Sequence, residues 1–313
     1  MAGVTARRSR ASAAALTAGG PAAAGLDGTT GVGRLLVQGP DRPGIVSAVS
    51  AVLTRHGANI VSLRQHSTDT VGGQFAQRTV FALPDLAAAR PALAADLDRE
   101  IAGGLGLRWS LHDTAHRKRV AIFASRTDHC LLDLLWRWRR RELPIDVTTV
   151  VANHPDLAAE VEPFGIPFVH VPVTGDKSEA EAEHLRLLAG RVDLVVLARY
   201  MQIVSAGFLQ RLGAPVINIH HSFLPAFIGA GPYAKAKDRG VKLVGATAHY
   251  VTEDLDEGPI IEQDVVRVSH TDTVQDLVQK GADVERAVLS RAVRWHCEDR
   301  IVVDGNQTVV FGR

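Results

Sequence analysis

Between residues 120 and 220 short apolar runs recur with polar, helix-like stretches among them, and few folds accept that alternation. The runs are Val120–Ala124, Asp146–Ala152, Phe168–Pro172, Asp193–Ala198 and Val216–His220. Helical stretches such as Leu131–Arg141 and Glu179–Ala189 separate the earlier ones. Strands alternating with helices predict an α/β unit with a mainly parallel sheet and helices on its faces. Ala246–Val251 and Ile260–Val268 read as further strands, and Val274–Cys297 as a long closing helix.

The residues before this unit follow another pattern. Arg34–Gly39 reads as a strand, Pro40–Gly44 as a turn, and Ile45–His56 as an apolar-periodic helix ended by Gly57. Ile60–His66 and Gln77–Leu83 read as strands around the turn chemistry of Asp69–Gly73. Ala87–Ala102 reads as a helix stopped by Gly103 and Gly104, and Leu105–Leu111 alternates as a half-buried strand. The order βαββαβ predicts a ferredoxin-like unit. The expected division is a tail over 1–32, a small unit over 33–113, a polar linker, and a larger unit over 119–313.

Composition sets limits on function. With 313 residues the chain can hold two cores. A net charge of +1 gives no field favouring nucleic acid or a membrane surface, and no apolar run is long enough to cross a bilayer. Two distant cysteines, Cys130 and Cys297, make neither a disulfide framework nor a structural zinc set, so a reducing, cytoplasmic setting is expected. Residues 1–32 are rich in Ala and Gly, with Arg7, Arg8 and Arg10 and no acid before Asp27. An organellar transit peptide is one reading. A disordered tail is the preferred one, because the whole chain is arginine-biased, with 29 Arg against six Lys.

Chemistry is concentrated in two segments. Val216–Ser222 ends an expected buried strand, and Asn218 and His220, two apart, point to one side of it. Ligands of open α/β sheets bind beyond the carboxyl ends of the strands, where this pair would lie. The second segment, Thr252–Ile261, is a dense acidic loop between two expected strands. Each piece alone also has a bland reading: a turn-capping amide, a satisfied structural histidine, a solvated loop.

Together, Asn218-Ile219-His220, then Ser222-Phe223-Leu224-Pro225, then Leu255-Asp256-Glu257-Gly258-Pro259-Ile260-Ile261 resemble the formyltetrahydrofolate-dependent formyltransferases. The longer stretches His220–Phe227 and Gly245–Tyr250 are more similar still to the deformylase branch of that family. The resemblance runs from about residue 33 to the end. It implies a Rossmann-like catalytic unit and a catalytic set of Asn218, His220 and Asp256. It implies hydrolysis of 10-formyltetrahydrofolate, supplying formate for purine biosynthesis and balancing one-carbon pools, with the folate as substrate and no cofactor or metal. Folate contacts are expected from Arg199, Tyr200, Met201 and Ile203, and from Thr252 and Asp254. Met201 could equally be core packing and Arg199 a surface charge. Two residues depart from the family pattern: Gly231, where a larger residue is expected, and Ala282, where Arg is expected.

The same trio serves transferases, so the acceptor must decide. Glycinamide ribonucleotide formyltransferases place a Gly/Ser-rich phosphate loop after the first strand. The corresponding Ala124–Leu131 contains no glycine. The tRNA formyltransferases carry an extra carboxy-terminal domain for the nucleic acid, which is not expected in the short segment after the closing helix, and the chain lacks the basic excess that tRNA binding would favour. Water is therefore the expected acceptor. A formyltransferase to an amine, or a catalytically dead amino-acid sensor, remain the alternatives. A Cys130–His129 nucleophile lacks a third supporting group, and a structural thiol is expected.

The amino-terminal unit resembles an ACT domain. The resemblance implies side-by-side pairing into a homo-oligomer and an amino-acid effector, glycine or methionine, at Asp41, Arg42, Gly44 and Ile45. A bare oligomerisation domain is the other reading.

Overall fold

The computed structural model describes residues 30–69, 71–225 and 232–312. The expected tail lies outside the described residues except at its end, where Thr30–Val32 already belong to a strand. Gly231 lies outside them too.

The first unit contains β1 (Thr30–Pro40), α1 (Ile45–Arg55), β2 (Asn59–Ser67), β3 (Gln74–Pro84), α2 (Leu86–Leu97) and β4 (Arg108–Asp113). Its strands pair antiparallel in the order β2-β3-β1-β4, the ferredoxin-like arrangement expected. Leu35 and Val37 of β1 pack with Phe81 of β3 and Val49, Leu53, Leu93 and Leu97 of the two helices in one buried cluster. The helix expected over 87–102 is α2 continued by a π-helix, Asp98–Gly103, that keeps Ile101 fully buried. β4 begins only at Arg108, so Leu105 and Leu107, expected in the strand, precede it.

The second unit runs β5 (Lys118–Ala124), α3 (His129–Arg139), β6 (Ile145–Ala152), α4 (Ala158–Val161), β7 (Phe168–His170), α5 (Lys177–Leu188), β8 (Leu194–Ala198), α6 (Ala206–Leu212), β9 (Val216–His220), α7 (Pro232–Arg239), β10 (Leu243–Tyr250), β11 (Ile260–Arg267) and α8 (Val274–Cys297). Its seven strands lie in the order β11-β10-β9-β8-β5-β6-β7. The five from β9 to β7 are parallel, and β10 runs antiparallel to both neighbours. Strand order reverses between β5 and β8, which opens a crevice at their carboxyl ends. Phe123 and Phe208, fully buried on one face, each contribute about 1.5–3 kcal/mol through burial. α8 covers the other face; a reciprocal capping box of Thr273 and Asp276 starts it.

A terminal hairpin, β12 (Ile301–Asp304) and β13 (Gln307–Val310), was not expected. Val302 and Phe311 pack against Ala76 and, less deeply, Leu36 on the helix-free face of the first sheet. Beside them Asp299 is a buried crossroads. Lys118 Nζ lies 2.6 Å and Arg34 Nη1 3.2 Å from its carboxylate, and Arg78 Nε donates to its backbone carbonyl at 2.8 Å. The two units are thus joined by apolar contact and by ion pairs from β1, β5 and the end of α8.

Candidate active site

β9 carries Asn218 and His220 to the carboxyl end of the sheet, as their spacing predicted, and β10 lies antiparallel beside it. In that register Asn218 faces His249 and His220 faces Thr247. Facing residues of an antiparallel pair share one side of the sheet, so the four side chains converge. Thr247, fully buried, fixes the chain after His220: its hydroxyl donates to the Ser222 carbonyl and accepts from the Leu224 N–H.

The loop between β10 and β11 supplies the carboxylate. Tyr250 N–H donates to the Pro259 carbonyl and draws the loop tight against β10. A Cβ on Gly258 would stand 1.8 Å from the Tyr250 carbonyl oxygen, so only glycine permits this closure. Asp256 then lies with Oδ2 at 3.2 Å from His220 Nδ1. The hydrogen bond from His220 holds the Asp256 carboxyl well below the usual carboxylate range. A carboxylate only accepts, so His220 Nδ1 carries the proton and Nε2 presents its lone pair. Nε2 is buried and has no protein partner.

His249 is the site residue that sequence reading missed, since a lone histidine in an apolar strand reads as structural. Its Nδ1 donates to the Tyr250 carbonyl at 2.9 Å. In the neutral ring Nε2 is then an acceptor, and Asn218 Nδ2 lies 3.2 Å from it. The same Nε2 is 3.6 Å from Asp256 Oδ1, beyond hydrogen-bond range. One Asn218 N–H is thereby committed to His249, and the amide's orientation is fixed with its second N–H free for a ligand.

These side chains line a cleft of about 420 Å³. Its opposite wall is the turn after β8. Met201 and Ile203 are 60% and 53% exposed there, so Met201 is not core packing. Tyr200 is turned inward, 2% exposed, with its ring centroid 5.0 Å from Phe123. Arg199 is not a free surface charge: its side chain is 14% exposed and paired with Glu285. Thr252 and Asp254 also line the cleft; the Thr252 hydroxyl donates to the Asp254 carbonyl while the Asp254 side chain is exposed. Arg199, Met201 and Asp256 all have left-handed backbone, at φ of 62°, 59° and 58°. Such strain costs roughly 1–2 kcal/mol per residue and is found where surrounding structure and function require it.

The remaining expectations are placed as follows. Cys130 is 1% exposed and burial pushes its thiol well up, so it is no thiolate, and His129 is bound to Glu285 instead. Ala282 is half-buried on α8. In the first unit Asp41 accepts from the Ser67 hydroxyl and Arg42 is exposed. Gly44 caps α1 with left-handed backbone, and Ile45 is buried in the core beneath.

A formyl transferase family model matches residues 118–293, and an ACT domain model matches residues 33–97. Fold and site therefore define a formyl transferase-type protein with an attached ACT domain. A curated formyltetrahydrofolate deformylase from Mycobacterium tuberculosis is 64% identical over 281 residues, covering 90% of this chain and 91% of the relative. One from Bacillus subtilis is 49% identical over 287 residues, covering 91% and 95%. The crystal structure of a formyltetrahydrofolate deformylase from Pseudomonas syringae pv. tomato matches with a TM-score of 0.84 at 48% identity, covering 91% of this chain and 96% of that one. The chain belongs to the formyltetrahydrofolate deformylase family.

Proposed function

We propose that this chain hydrolyses 10-formyltetrahydrofolate to formate and tetrahydrofolate, with Asn218, His220 and Asp256 as the catalytic set. The observation that carries the reading is the free Nε2 of His220, oriented by Asp256 and set beside the uncommitted Asn218 N–H. His220 Nε2 takes a proton as water adds to the formyl carbon. The carbonyl electrons move onto oxygen, and the Asn218 N–H stabilises that oxyanion. The oxyanion collapses, the bond from carbon to N10 breaks, and His220 returns its proton to N10. Formic acid then loses a proton to solvent. Asp256 fixes the tautomer and favours the imidazolium while it lasts. No step calls on a cofactor or a metal.

The exposed Met201 and Ile203 form an apolar wall suited to a flat pterin ring, and the turn 252–256 offers backbone groups to its edge. Arg199 and Tyr200 support that wall from beneath. Among the described residues no helix is long and apolar enough to cross a membrane. A cytoplasmic site of action, with formate delivered to purine biosynthesis, is consistent with this chemistry.

Purified protein with 10-formyltetrahydrofolate alone is expected to release formate and tetrahydrofolate in equal amounts. Turnover that requires glycinamide ribonucleotide or charged tRNA would sink the hydrolase reading.

For the ACT domain we propose an amino-acid effector, glycine or methionine, at Asp41, Arg42, Gly44 and Ile45, in a homo-oligomer. The outer edge of β2 supports the second part: it has no partner strand among the described residues, and Val61 there is 62% exposed. Either amino acid is expected to change the hydrolysis rate, and Arg42→Ala to abolish that response. Indifference of the full-length enzyme to both leaves the domain a structural role only.

A further inference from the structure

Outside the trio, a second buried polar cluster stands behind the cleft. At its centre is Glu285 of α8, 2% exposed. His129 Nε2 lies 2.8 Å from one carboxylate oxygen, and the Tyr233 hydroxyl donates to the other at 2.8 Å. Arg199 Nη1 lies 3.4 Å from both. The carboxylate thus ties α3, α7 and the turn after β8 to α8. His129, Cys130 and Glu285 could present ligand atoms within 4.8 Å of one another. They do not make a cation site: the Arg199 guanidinium and the Tyr233 hydroxyl already occupy the carboxylate.

We infer that Glu285 is a positioning residue for hydrolysis, acting through Arg199 to hold the turn 199–203 that forms the cleft's apolar wall. The inference rests on the proposed hydrolysis and adds a residue to its machinery. Three observations carry it. Arg199 stands at the junction of β8 and that turn with left-handed backbone, which an arginine keeps only when surroundings dictate it. Its side chain is a nearly buried cation whose Nε has no partner, so Glu285 is the counter-charge that makes this placement tolerable. Finally, α8 is shaped for the cluster. A Cβ on Gly281, one turn before Glu285, would lie 1.9 Å from the Tyr233 hydroxyl oxygen. A mid-helix glycine weakens the helix by about 1 kcal/mol relative to alanine, and here it clears the path by which Tyr233 reaches Glu285. Burial would raise the Glu285 carboxyl, but the His129 hydrogen bond and the Arg199 charge outweigh it and leave it below its ordinary value. At neutral pH the cluster therefore holds a carboxylate.

The test is a double-mutant cycle on the full chain with Glu285→Gln, which keeps the shape and removes the charge, and Arg199→Met. Each single variant is expected to lower kcat/KM by about 100-fold, the order seen when a reacting group is misplaced by about 1 Å. Both are assayed below their melting temperatures. The double variant is expected to lose no more than the worse single, because both substitutions break one device. A Glu285→Gln enzyme with wild-type kcat and KM overturns the inference, and so do losses that multiply in the double variant. If Glu285→Gln does not fold, Tyr233→Phe takes its place, subtracting one hydroxyl from the same carboxylate, with the same sub-additivity expected and multiplication again decisive. An inactive wild type would instead refute the hydrolase reading, so the two failures are distinguishable.

Discussion

Asn218→Ala is expected to lower kcat by about 100- to 1000-fold, the usual loss when one oxyanion donor is removed, while KM changes little. The donor's second N–H is uncommitted in the free enzyme and gains its value only when charge develops on the formyl oxygen. Asn218 is only half-buried in β9, so the variant should fold. Asp256→Asn tests the partner role. Asparagine tolerates the left-handed backbone there but cannot hold the imidazolium, and a fall of about 100- to 10,000-fold is expected from impaired proton transfer. Near-normal kcat in both variants would place the chemistry elsewhere in the cleft.

Asp299→Ala should be the most damaging substitution outside the active site. The Asp299 carboxylate is 5% exposed and balances Lys118 and Arg34, with His112 Nδ1 at 3.6 Å. Removing one member of a buried ion cluster leaves the others uncompensated, at a cost of about 3–5 kcal/mol. Because these charges come from both units, unfolding by denaturant should split into two transitions. Burial would raise the Asp299 carboxyl, but Lys118, then His112, hold it below its ordinary value. A carboxylate depressed in the folded state contributes stability above its unfolded pKa of about 3.9 and loses it as pH falls through the folded value. The gap between wild type and variant should be full near neutrality and shrink below about pH 4. A single wild-type-like transition at pH 7 would show that apolar contact alone joins the units.

The elements legible in the sequence were those whose pattern is local. β5, β6, β8 and β9 are built on short apolar runs, and α8 carries an apolar stripe at helical spacing. Asn218 and His220 were legible because spacing within one strand fixes their common side. The change from α to π winding over Asp98–Gly103 was not legible, since the sequence there reads only as a helix continued up to Gly103-Gly104. The hairpin has a usable signal, a β-branched run on each side of Gly305-Asn306. His249 and Glu285 could not be found from spacing. One acquires its role from a cross-strand neighbour, the other from two helices and a turn distant in sequence.

The three left-handed residues around the cleft bear on how a ligand meets the protein. Folding has already fixed Arg199, Met201 and Asp256 in conformations a free chain rarely visits. Ordering a backbone residue costs roughly 1–2 kcal/mol in entropy, and here folding bears that cost before any ligand arrives. An arriving folate thus finds two walls that need not be frozen, and its contacts with them are not discounted by disorder lost on binding. The same arrangement leaves the chain less stable than a relaxed loop would make it, so the cleft's readiness is held at the expense of the fold's own margin.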